Sequence, residues 1–64
     1  MASMYADLVA QLKRGSCWFV RSGKGSHEIW FSPITGRNFT VPRSLNHAPL
    51  ANEILKQAGL PKAF

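Results

Sequence analysis

Cys17-Trp18-Phe19-Val20-Arg21-Ser22-Gly23-Lys24-Gly25-Ser26-His27-Glu28-Ile29-Trp30-Phe31-Ser32 is the stretch that decides how this chain folds. Two runs rich in aromatic and β-branched residues, 17–21 and 26–32, flank Ser22-Gly23-Lys24-Gly25. Runs of that kind around a glycine-bearing turn pair as antiparallel strands. Pro33 ends the second run, because it has no N–H to give to a ladder. Ile34-Thr35-Gly36-Arg37 makes a further turn, and residues 38–41 a third strand closed by Pro42. Three strands joined by short turns form a meander. Strict alternation sets His27, Ile29 and Phe31 on one face of the second strand, and Ser26, Glu28 and Trp30 on the other. The first set is expected to face the helices, with Trp18 and Phe19 in the core.

Outward from the strands, the pattern becomes helical on both sides. Tyr5, Leu8, Val9 and Leu12 lie at i, i+3, i+4 and i+7 behind a capping Ser3, which places them on one helix face. Asp7 near the start and Lys13 and Arg14 near the end suit the helix dipole. Gly15 is expected to supply the left-handed stop. Downstream, Leu50, Ala51, Ile54, Leu55 and Ala58 form a second stripe. Asn46 is the expected cap, Pro49 lies within the first turn, and Gly59 terminates ahead of Pro61. The expected class is α+β, in the order α-β-β-β-α. A three-stranded antiparallel sheet would carry both helices on one face, as a single domain over residues 1–64.

Composition narrows the function. The chain has 64 residues, 45% of them apolar, with two Trp and four Phe. That is enough to fill a thin core and argues against disorder. A single cysteine, Cys17, excludes an internal disulfide and argues against a cysteine-based metal site. No stretch is long and apolar enough to cross a bilayer. The N-terminus has no basic segment leading into an apolar run, so a cytoplasmic location is expected. Eight Lys and Arg against three Asp and Glu give a net charge of +5. Such a balance favours a polyanion or an acidic protein as partner.

Most catalytic classes fail on the residues available. Two-metal chemistry needs clustered carboxylates, whereas Asp7, Glu28 and Glu53 fall one to an element. No metal site is expected, and no phosphate-binding loop precedes a helix. Neither a small-molecule cofactor nor a membrane partner is implied. Metal-free RNA cleavage survives, because the RNA supplies its own 2′-OH as nucleophile. The protein then has only to move protons and stabilise charge on the phosphorus. Histidine suits the first task, and His27 stands among Arg21, Lys24, Ser26 and the amides of Gly23 and Gly25. The plainer alternative is that a histidine at a strand start is an ordinary turn or edge residue.

The run Gly25-Ser26-His27 followed by Trp30 resembles the signature of the HicA toxins, the mRNA-cleaving partners in HicA–HicB toxin–antitoxin pairs. The resemblance extends through Trp18-Phe19-Val20-Arg21, Phe39-Thr40-Val41-Pro42 and Ile54-Leu55-Lys56-Gln57-Ala58-Gly59-Leu60. It departs from the family pattern at Arg21, one residue farther from the triplet. A second departure is Asn46-His47-Ala48-Pro49, which stands where the family has a Gly-Thr or similar pair. The resemblance implies a fold like the double-stranded RNA-binding domain, a catalytic His27, mRNA as substrate and a HicB-like antitoxin over the site. Read from the residues themselves, the expected RNA contacts are Arg21, Lys24, Gly25 and Ser26 around His27, with Arg37 and Arg43 flanking the third strand to extend the basic surface. Trp30 is a candidate antitoxin anchor, since tryptophan is enriched at interface hot spots. His47 is either a second proton-transfer group or phosphate contact, or a half-buried member of the second stripe. A non-catalytic RNA-binding module, or a basic protein that binds an acidic partner, would use the same surface.

Overall fold

The computed structural model describes residues 3–64. Its order is α1 (Met4–Arg14), β1 (Trp18–Ser22), β2 (His27–Ser32), β3 (Arg37–Pro42) and α2 (Ala48–Gln57). The three strands form one antiparallel sheet in the order β1-β2-β3. This is the α-β-β-β-α arrangement expected from the sequence, with strand ends shifted by a residue or so.

Both helices lie on the same face of the sheet, and the hydrogen bonds of β2 show which face it is. Tyr5 of α1 donates its O–H to Glu28 Oε1 at 2.6 Å, and Trp30 Nε1 donates to the same oxygen at 3.0 Å. At the far end of the strand, buried Ser32 donates its hydroxyl to the Ala58 carbonyl at 2.6 Å. Residues 28, 30 and 32 of β2 therefore point to the helices, with Val41 and Phe39 of β3 paired beside Glu28 and Trp30. These side chains join Leu8, Leu12, Ala51, Ile54 and Leu55 in one core.

The expected assignment of faces is thus reversed. His27, Ile29 and Phe31 occupy the uncovered face, and Trp30 is only 3% exposed. Trp18 and Phe19 are not core residues either, being 51% and 47% exposed. Hydropathy misleads here because β2 has large apolar residues at both parities. The two polar anchors, Glu28 and Ser32, decide between them.

Both helices end in paired backbone bonds of the Schellman type. In α1, Cys17 N–H reaches the Leu12 carbonyl and Ser16 N–H the Lys13 carbonyl, each at 3.0 Å. The left-handed residue is Ser16, with φ 65°, whereas Gly15 has φ −84°. The stop falls one residue later than expected. Gly15 answers a different demand: a Cβ there would stand 2.6 Å from Leu60 Cδ2. In α2, Leu60 N–H reaches the Leu55 carbonyl at 2.8 Å, and Gly59 takes φ 79° where a Cβ would also meet Ile34 Cγ2 at 2.7 Å. The N-cap of α2 is His47 rather than Asn46, and its side chain makes no capping bond. The tail returns over α2, where Asn52 bonds the backbone of Ala63 and Phe64.

The two caps make opposite predictions. A non-glycine residue in the left-handed region costs roughly 1–2 kcal/mol. Ser16→Gly is therefore expected to stabilise the fold by about 1 kcal/mol, and Gly59→Ala to destabilise it by at least as much. Chemical denaturation of the two variants beside the original protein checks both signs.

Candidate functional site

The β1–β2 hairpin builds the site. Its turn, residues 23–26, is held by Gly23 N–H donating to the His27 carbonyl at 2.8 Å and His27 N–H donating to the Lys24 carbonyl at 3.2 Å. Gly25 has φ 64° with open space where a Cβ would be, so its backbone conformation, not crowding, calls for glycine. Arg43 N–H donates to the Ser26 carbonyl at 2.9 Å and ties the turn to the end of β3. His27 begins β2 opposite Pro42. Its imidazole is exposed on the uncovered face, and Lys24, Gly25 and Ser26 beside it are also exposed.

Arg21 reaches this face through a bulge. The pairing passes from Phe19↔Trp30 directly to Arg21↔Ile29, leaving Val20 as the extra residue. Without the bulge Arg21 would share Phe19's side of the strand. With it, Arg21 pairs with Ile29 and stands diagonal to His27, a relation that spans about 7–8 Å between Cα atoms, and its Nη1 donates to the Ser22 carbonyl at 3.4 Å. The extra residue before the Gly-Ser-His triplet is accommodated by this irregularity in β1.

The remaining expected site residues are distributed otherwise. Arg37 pairs with Ser32 at the opposite end of β2 from His27, about 17 Å along the strand. It does not join the hairpin cluster. Arg43 contributes its backbone to the hairpin, while its charge acts on Tyr5. Trp30 is buried and bonded to Glu28, so it cannot serve as an exposed anchor for a partner. His47 is exposed, not half-buried, at the start of α2. That helix start follows β3 closely, through the Leu45 N–H to Pro42 carbonyl bond, and so stands at the His27 end of the sheet.

All three side-chain carboxylates lie on the helix-covered side, as do most of the lysines and arginines. Asp7 belongs to α1, Glu53 to α2, and Glu28 points to the helices. The face with His27 and Arg21 has no side-chain carboxylate among the described residues. These also include no group of three or more His, Cys, Asp or Glu that would hold a metal ion. The hollows along α2 and between α1 and the tail are lined by other residues than His27. The site is therefore an open edge carrying His27, Lys24 and Arg21 rather than an enclosed pocket. Among the described residues, no helix is long and apolar enough to cross a membrane.

Comparison with known protein families, with curated proteins and with solved structures finds no match for this chain.

The sequence signalled His27 and the turn, but not Trp18 and Phe31, which share the uncovered face with them. Their placement depends on which residues of β2 are bonded to the helices, and hydropathy is silent on that.

Presentation of His27 rests on the Glu28 cluster immediately behind it. Burial, and then the hydrogen bond to Glu28, push the Tyr5 hydroxyl from its ordinary 10.0 up to about 12. A raised folded-state value means that the neutral hydroxyl is favoured in the fold. The contribution is complete below pH 10 and is lost as pH rises through about 12. Melting temperatures followed through that window should fall less steeply for Tyr5→Phe than for the original protein. Parallel curves would contradict this.

Proposed function

We propose that this chain is a metal-independent endoribonuclease of the HicA toxin kind, acting on mRNA in the cytoplasm and restrained by a HicB-like antitoxin. The observation that carries the reading is the exposed His27 beside Lys24 and Arg21 on a face without carboxylates. The resemblance of the Gly25-Ser26-His27 run, together with the α-β-β-β-α fold, supports it.

The chemistry follows from the RNA. The 2′-oxygen attacks the adjacent phosphorus, the bond from 2′-oxygen to phosphorus forms, and the bond to the 5′-oxygen breaks. His27 takes the 2′-OH proton as a neutral imidazole. The departing 5′-oxygen receives a proton from water, to which this edge is open. Arg21 and Lys24, with the Ser26 hydroxyl and the amide of Gly25, neutralise the charge that accumulates on the phosphoryl oxygens. A site with one histidine and no enclosure is suited to slow cleavage of an abundant substrate. The antitoxin would cover the hairpin and the adjoining open face, since Trp30 is out of reach.

Purified protein incubated with a long mRNA in EDTA is expected to produce fragments. His27→Ala should reduce the cleavage rate by about 10²–10⁴-fold while leaving RNA affinity nearly unchanged. Intact RNA with both proteins, or cleavage abolished by EDTA, would contradict the reading. RNA binding without cleavage by the original protein would instead favour a non-catalytic RNA-binding module.

A further inference from the structure

The face that carries His27 also carries an aromatic pair that the core does not use. Trp18 and Phe31 are cross-strand partners with ring centroids 4.7 Å apart and planes inclined at 38°. Trp18 is 51% exposed. On β3, Asn38 stands opposite Phe31 and Thr40 opposite Ile29, both exposed. The same face includes Arg21.

We propose that Trp18, backed by Phe31, is a stacking platform for an unpaired base of single-stranded RNA, holding the strand across the open sheet toward His27. An indole face stacks on any base whose own face is free, and a duplex hides those faces. Asn38 and Thr40 supply an amide and a hydroxyl for base edges or 2′-OH groups. Charge selects the occupant. Arg21 lies on this face and Lys24 in the turn beside it, while all three side-chain carboxylates lie off it. The apolar strip is also narrow, with the polar side chains of β3 along one border and Arg21 beyond Ile29.

Phe31 is four residues along β2 from His27, about 13 Å at the rise of an extended strand. That span corresponds to about four nucleotides at a stacked rise of about 3.4 Å. A base on Trp18 would thus lie a few nucleotides from the phosphate at His27, and the enzyme would require an unpaired segment. This link to His27 rests on the nuclease reading, whereas the platform itself does not.

The test is anisotropy of a short, labelled, unstructured RNA titrated with the His27→Ala protein, which removes cleavage from the measurement. Adding Trp18→Ala is expected to weaken binding roughly ten- to hundredfold, the loss of one stacked base. Trp18→Phe should retain most of the affinity. Annealing the RNA to its complement should weaken binding to the His27→Ala protein and remove the effect of residue 18. Circular dichroism of each variant confirms that it is folded. Equal affinity of folded Trp18→Ala for the single strand would overturn the proposal, as would a preference for the duplex. Unchanged RNA affinity with loss of a dimer in Trp18→Ala would overturn it in favour of a contact between copies. If the original protein cleaves mRNA and Trp18 proves irrelevant to binding, the platform fails and the nuclease stands. If nothing is cleaved but Trp18 governs binding, the nuclease fails and the platform stands.

Discussion

One carboxylate oxygen sets the orientation of the sheet. Glu28 Oε1 accepts both the Tyr5 O–H and the Trp30 indole N–H, and so links α1, β2 and the largest side chain of the core. Hydrogen bonds to a charged acceptor contribute about 1.5–3 kcal/mol each, and a buried donor left unpaired costs about 1–3 kcal/mol. Because strand side chains alternate, fixing residue 28 toward the helices also fixes residues 30 and 32 there. A slip of one residue would turn Trp30 and Ser32 outward and bury His27. The Ser32 hydroxyl, bonded to the last turn of α2 at the Ala58 carbonyl, holds the same orientation from the other end.

Much of the architecture is legible in the residue pattern. The order of elements, the turns and the two helical stripes all follow from spacing, caps and breakers. The faces of the sheet do not. Ile29 and Phe31 on one parity compete with Trp30 on the other, and counting apolar side chains favours the wrong set. The polar residues Glu28 and Ser32, which look like surface positions, are the ones that face inward. The bulge at Val20 leaves no clear mark in the sequence, yet it moves Arg21 from one side of the sheet to the other. Ser16 illustrates the same difficulty on a smaller scale: Gly15 is the natural choice for a helix stop, but that glycine is needed for the approach of Leu60.

The reversed faces change what the candidate site is. A histidine on the covered side would have been a rim residue beneath α1. On the uncovered side it becomes part of a continuous surface that includes Arg21 and the Trp18–Phe31 pair. All three side-chain carboxylates lie on the helix-covered side, together with most of the lysines and arginines, whereas the open side carries Arg21 and the turn residue Lys24 with no carboxylate among the described residues. Arg37, paired with Ser32, lies on the helix-covered side, where it lines a hollow with Glu53 and Lys56 of α2, and takes no part in the open face.

The claim on which this account depends is that RNA meets the open sheet rather than the helices. Amide chemical-shift mapping of the His27→Ala protein during titration with unstructured RNA measures that directly. The account predicts shifts at Trp18, Arg21, Lys24 and Phe31, with the outer surfaces of α1 and α2 unmoved. Shifts confined to the two helices, with those four residues silent, would contradict it.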